Sequence, residues 1–217
     1  MKRIFIFLTA AFSLASIYAQ GVQTYKNACI YGQSQRNKSD AGSALSIKDG
    51  ITYSMSDVIK RTSPKAIDFM LFYGKQNKVA GFYLFAPGLP MDGEINWDKK
   101  EGTVPFRYFT ASSKDPEGAA WLKNWNIRNA TKMHKVKDID FDKADGAAIA
   151  AIEVRDEYIT DALNEGDVVV FETAATSATP NKKGLIKIGA VEDDDEREDK
   201  AGLGAFQKMN LKIKIVK

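Results

Sequence analysis

Apolar and polar residues alternate most clearly at the end of the chain. Between Met209 and Lys217, Leu211, Ile213 and Ile215 fall on one side while Lys212 and Lys214 point to water, the period of two that marks a half-buried β-strand. Two apolar runs precede it. Asp167 to Thr173 holds three consecutive valines and Phe171 behind Gly166, and Gly184 to Val191 follows after a Thr/Asn/Pro/Lys turn. Such β-branched density between turn residues predicts a strand for each. Ile67 to Gly74 is almost continuously apolar, as expected of a strand buried on both faces. Val79 to Phe85 follows it after the polar turn Lys75-Gln76-Asn77-Lys78, so these two are expected to pair as the core hairpin. Ser43 to Ile47 and Ile51 to Met55 flank Lys48-Asp49-Gly50, and an Asp-Gly turn between two such runs predicts a second hairpin. Ala28-Cys29-Ile30-Tyr31 predicts one strand in an irregular lead-in, and Asp138 to Asp142 alternates as a strand would.

Helix patterns are fewer. Ser56 can cap a short helix over Asp57 to Arg61 that ends before Pro64. Asp115-Pro116 opens another that carries Trp121, Leu122 and Trp125; the two tryptophans share a face and are expected to anchor their helix on the sheet. Asp156 to Leu163 predicts a third, with Asp156 as cap, Glu157 in the first turn, Tyr158, Ile159, Ala162 and Leu163 on the apolar side, and Gly166 just past the end. Ala147 to Val154 fits helix or strand equally. Ala86 to Lys114, rich in glycine, proline and charge, reads as a long excursion with Phe106 to Phe109 as a short strand. Together these elements predict one mainly β domain, an antiparallel β-sandwich with two or three short helices on its connections.

The N-terminus changes the setting in which that domain is expected to work. Lys2 and Arg3 precede an apolar run from Ile4 to Ile17, and Tyr18-Ala19-Gln20 follows, the layout of a secretory signal peptide cleaved after Ala19. About fourteen apolar residues fall short of the roughly twenty that span a bilayer. The expected organisation is therefore a leader over 1–19 and a single β-rich domain over 20–217, exported to the periplasm, the outer surface or the medium. Cys29 is the only cysteine, so an internal disulfide is excluded and the fold must rest on its core. Of 31 lysines and arginines, Lys2 and Arg3 lie in the leader, leaving 29 against 28 acids. A balance this even lacks the basic footprint of a nucleic-acid binder.

Each residue that could carry chemistry also has a structural role to fill. His134 is the only histidine, within Lys132-Met133-His134-Lys135; with no second histidine and no cysteine pair it lacks partners for zinc or a triad, and its basic neighbours suggest a solvated loop. Cys29, flanked by apolar residues, reads as a small buried side chain rather than a nucleophile. Gly-x-Ser-x-Gly and Ser-x-x-Lys are absent, and Gly202-Leu203-Gly204 lacks the context of a dinucleotide loop. Asp68, Glu94, Asp98 and Glu172 are conceivable members of a hydrolytic acid pair, but spacing singles out none. Asp68, inside an apolar run, is expected at an edge or hydrogen-bonded.

Asp138-x-Asp140-x-Asp142 opens like a calcium loop, yet Lys143 occupies the glycine position and the twelfth-position glutamate is missing. Glu192 to Asp199 holds seven acids in eight residues and reads as a solvated loop that keeps strand edges apart; loosely held calcium is the one cation left open there. No metal or other cofactor is otherwise expected. Trp97, Tyr108 and Phe109 lie in the excursion, where flat rings with few rotatable bonds suit a sugar face or a protein surface, and these are the candidate ligand-binding residues.

The order of several short motifs resembles that in uncharacterised exported proteins of Bacteroidetes-type Gram-negative bacteria. They are Tyr31-Gly32-Gln33-Ser34 with Gly42-Ser43, Asp49-Gly50-Ile51-Thr52-Tyr53, Ile67-Asp68-Phe69 closing on Phe72-Tyr73-Gly74, Phe85-Ala86-Pro87, Asn129-Ala130-Thr131, Gly166-Asp167-Val168 with Phe171, and Lys183-Gly184-Leu185-Ile186-Lys187. The resemblance implies a β-rich fold and an envelope or extracellular location, without an assigned reaction. The chain departs from it in lacking an anchoring cysteine. The expected function is a non-enzymatic binding or interaction domain for a glycan or an envelope protein. A two-carboxylate hydrolase of carbohydrate and a structural envelope component are the alternatives.

Overall fold

A computed structural model describes residues 21–32, 42–54, 64–76, 79–89, 127–193 and 207–217. Among these residues nine strands form two antiparallel sheets: β1 Val22–Tyr31, β2 Ala44–Leu45, β3 Thr52–Tyr53, β4 Phe69–Gln76, β5 Val79–Phe85, β6 Lys132–Val136, β7 Val168–Glu172, β8 Lys183–Asp193 and β9 Gln207–Val216. The five-stranded sheet has the order β1-β9-β8-β7-β6, and the four-stranded sheet β3-β2-β4-β5. The predicted class, a mainly β antiparallel sandwich, is the class observed.

Both hairpins form where turn chemistry placed them. Gly50 sits at φ 69° between β2 and β3, a backbone region open to glycine at little cost. The β4–β5 ladder runs from Met70–Phe85 to Gln76–Val79, so the strand continues into the segment expected to turn. The last three strands pair as β7–β8 and β8–β9. Each long ladder of β9 carries one bulge, between Tyr25 and Ala28 against β1 and between Ile188 and Val191 on β8, which bends the pair and increases its twist.

The core lies between the sheets. Ile30, Leu45, Phe69, Leu71, Leu84, Val169, Phe171, Ile186, Leu211 and Ile213 interlock there, and Phe69 meets Phe171 edge-on with ring centroids 5.3 Å apart. Val168, Val170, Leu185 and Val216 face the other way, onto a smaller core with Phe141 and Ile149. That second core explains why β7 is apolar on both faces. It also corrects the reading of β9: Lys214 does not simply point to water but donates to the carbonyls of Asp142 and Ala144, 3.0 Å away in each case.

Helix α1, Gly146–Ala151, resolves the ambiguous Ala/Ile segment, with the Asp145 carboxylate accepting from Ala148 N at 2.8 Å. A 3₁₀ turn at Pro64–Ala66 leads into β4. Two expectations fail here. Asp138–Asp142 is a turn: Asp138 has φ 60° and the Asp140 carboxylate accepts from Asp142 N and Lys143 N, a local side-chain bond that competes with strand pairing. The helix expected over 156–163 is extended chain. Its Tyr158 and Ile159 lie beside Ala86 and Phe85, and its Leu163 beside Phe82. Leu163 N donates to Phe82 O, Thr160 N to Leu84 O, and Ala86 N to Tyr158 O. Tertiary hydrogen bonds thus claim the groups an i→i−4 ladder would use. Gly166 is nonetheless left-handed, at φ 89°, in the turn before β7. The helices expected over 57–61 and around Trp121 and Trp125, and the strand at Phe106–Phe109, lie outside the described residues.

Candidate functional site

The extended segment after Arg155 straps the sandwich shut along one side, and a cleft opens where it leaves β6. Among the described residues β6 is the edge strand of its sheet, paired only with β7. Successive side chains alternate: Met133 enters the inter-sheet core, whereas Val136 joins the outer one. At the start of β6 the strap is close, with Met133 N donating to Glu157 O at 2.7 Å and Arg155 N to His134 Nδ1 at 3.3 Å. It then crosses to β5, so that among the described residues no main chain pairs with the outer side of β6 from Lys135 onward, and a cavity of about 810 Å³ lies beside it. That volume lies within the usual range of ligand pockets.

Val136, Ile139 and Ile152 form an apolar wall of this cleft, and Lys135, Lys137, Arg155, Asp161 and Asp167 its charged surround. Lys135 Nζ lies 2.7 Å from Asp167 Oδ2 and donates to Ala162 O at 2.9 Å. Asp167 also accepts from Asn164 N at 2.7 Å. Arg155 stands 3.6 Å from Glu157. Lys137 and Asp161 have no ion-pair partner among the described residues. His134, on β6 and only 6 % exposed, is not in the solvated loop its neighbours suggested. Burial first, and the nearby Arg155 second, hold its pKa below the ordinary value. The ring is therefore neutral near pH 7, and because Nδ1 accepts, Nε2 carries the proton.

Asp68 is placed quite differently. Its carboxyl is fully buried, accepting from Ile47 N at 3.1 Å, from Asn129 Nδ2 at 3.2 Å and from the Ser177 hydroxyl. Asn129 Nδ2 also donates to the carbonyls of Lys65 and Ile67, and its Oδ1 accepts from Thr176. One junction thus ties the approach to β4, the β2–β3 turn, the approach to β6 and the β7–β8 connection. Desolvation pushes the Asp68 pKa up to about 7 despite these donors. The chemistry is that of a buried structural acid, hydrogen-bonded as its place in an apolar run required.

The other sequence candidates fall apart spatially. Glu172 lines a separate cavity of about 340 Å³ with Lys182, Lys183 and Lys217. Cys29 is half-buried on β1, and burial raises its thiol pKa, away from nucleophilic thiolate. Asp140 pairs with Lys143 and Asp142 with Lys187, and Glu192 pairs with Lys208 and accepts from Asn210. Among the described residues no cluster of three His, Cys, Asp or Glu is placed to hold a metal, and no helix is long and apolar enough to cross a membrane. Trp97, Tyr108 and Phe109, with Glu94 and Asp98, lie outside the described residues.

Sequence reasoning missed Lys135, Lys137, Arg155, Asp161 and Asp167 as a group. The available signal was the alternation Met133, Lys135, Lys137 against His134, Val136, obscured by its charge. Comparison with protein-family models, with curated proteins and with solved structures found no match to the chain.

Proposed function

We propose that the chain is an exported, non-enzymatic binding or interaction domain of the cell envelope or extracellular space, and that it takes its ligand in the cleft beside β6. The observation that carries the reading is the cleft itself: an apolar wall of Val136, Ile139 and Ile152 lining it together with Lys137 and Asp161, which have no ion-pair partner among the described residues. Apolar area with a few directed polar groups is the usual make-up of a binding pocket. The leader pattern of residues 1–19 supports export. Two carboxylates, Asp161 and Asp167, line the cleft and are what a carbohydrate hydrolase would draw on. Asp167, however, is engaged by Lys135 and Asn164 N, a structural use of its oxygens that favours binding over turnover.

The test is a melting-temperature screen of the protein against oligosaccharides and peptides, repeated with Lys137→Ala/Arg155→Ala. A ligand at about 100 times its Kd stabilises the native state by roughly 2.7 kcal/mol. A shift present in the parent and lost in the double variant supports the reading. Ligands that shift both proteins equally would place binding elsewhere, and release of product from a bound sugar would replace the binder with the hydrolase.

A further inference from the structure

We propose that the cleft binds an extended peptide with alternating carboxylate and apolar side chains, added antiparallel as a further strand on the part of the β6 edge that none of the described residues pairs. The inference rests on the binding reading above and names its ligand class.

The main chain of β6 carries the argument. In an antiparallel ladder successive residues direct their N–H and C=O groups alternately to the two sides of the strand. Met133 N donates away from β7, to Glu157 O, so Lys132, His134 and Val136 address β7, and Lys135 faces outward with Met133. The strap satisfies Met133 N and then departs for β5. The Met133 carbonyl, the Lys135 N–H and carbonyl and the Lys137 N–H therefore open toward the cleft. None of them has a partner among the described residues. A row of this kind is a template for another strand, and every pair in both sheets is antiparallel.

Side chains decide which strand fits. On an added strand, residues opposite Lys135 share its face, and their neighbours share the face of His134 and Val136. The first set meets Lys135 and Lys137, and the second meets Val136, Ile139 and Ile152. An inward lysine on an edge strand discourages pairing with an apolar sequence. Carboxylates at alternate positions convert that obstacle into an attraction: Lys137 has no ion-pair partner among the described residues, Arg155 is largely exposed and only 3.6 Å from Glu157, and the peptide's acids compete with Asp167 for Lys135 against the one unpaired cleft acid, Asp161.

The experiment uses the ¹⁵N-labelled protein and capped hexapeptides of alternating glutamate and valine. We expect the Lys135 and Lys137 amides to exchange freely in the protein alone, and to shift and slow on adding the peptide. Because residues opposite Lys135 are glutamates, N-methylation of the glutamate amides weakens binding about tenfold or more, the scale of one lost hydrogen bond. N-methylation of the valine amides leaves it within about twofold on the same scale. A lysine–valine peptide binds at least about tenfold more weakly than the glutamate–valine one. In the protein, Lys135→Pro and Lys135→Ala both remove the ion pair, but only proline removes the outward N–H, and it leaves the β6–β7 ladder intact. Proline is therefore expected to weaken binding about tenfold beyond alanine.

Equal tolerance of both methylation patterns, protection of the Lys135 amide in the free protein, or no shift at these amides overturns the inference. If oligosaccharides move the His134, Lys137 and Arg155 signals while peptides do not, strand addition fails and the binding reading stands. A cleft silent to both classes overturns both.

Discussion

Asp68→Asn removes a titration that the fold imposes on itself. The Asp68 carboxyl has an ordinary value of 3.8 and is pushed up to about 7 by burial in the folded protein. Between those values the native state holds a proton that the unfolded chain has lost, so stability falls as pH rises through the window and levels off above about 7. The full displacement corresponds to roughly 4 kcal/mol at 1.36 kcal/mol per unit, of which roughly 2.5 kcal/mol falls between pH 5 and pH 8. Asparagine keeps the shape but presents an amide where Ile47 N, Asn129 Nδ2 and Ser177 already converge as donors. A constant penalty of about 1–3 kcal/mol follows from the unsatisfied donors.

The variant is therefore expected to be the weaker protein at pH 5 and to recover most of the difference by pH 8. Urea midpoints of both proteins from pH 5 to pH 8 measure this. With a slope of about 2 kcal/mol per molar, the gap in midpoint should change by about 1 M. Histidine and surface titrations are common to both chains and cancel in the difference. A gap that stays constant across the range, or widens toward pH 8, would refute the claim that desolvation outweighs the three donors at Asp68.

Three further outcomes are expected. Gly184→Ala destabilises by about 3 kcal/mol or more in the same urea assay, because an added Cβ would overlap the Lys214 carbonyl and the Phe171 ring. Asp145→Ala costs about 1 kcal/mol by chemical denaturation, since its carboxylate satisfies Ala148 N at the start of α1; an unchanged midpoint would remove the cap from the account. His134 has a folded pKa below its ordinary 6.5, so the parent loses stability as pH falls below about 6.5, where the unfolded chain binds the proton first. His134→Gln should lack that loss, and NMR titration of the ring should show an apparent pKa under 6.5 in the parent.

β7, β8 and β9 were readable because each is a β-branched or alternating run bounded by glycine or polar residues, and the β2–β3 hairpin because Asp49-Gly50 supplies the positive φ its turn needs. These are short-range properties. The segment 156–163 was misread for the same reason: its acidic start, apolar spacing and Gly166 satisfy every local rule for a helix. The decision came from Phe82, Leu84 and Ala86, more than seventy residues earlier, whose main-chain groups pair with it. Asp156, expected as a cap, instead accepts from Tyr158 and pairs with Lys132.

By itself the sequence determined that the chain would build an antiparallel β domain, where its hairpins turn, and that Asp68 would need partners, because these follow from period, turn chemistry and the cost of a lone buried charge. The tertiary structure alone decided which strand lies at the sheet edge, where the strap departs from it, and which charges collect in the opening. Lys135, Arg155, Asp161 and Asp167 share one cleft only because β6, the strap and the turn before β7 converge there. No local pattern encodes that convergence, since each residue's immediate neighbours are compatible with open solvent. The site is a product of packing, whereas the scaffold is largely a product of pattern.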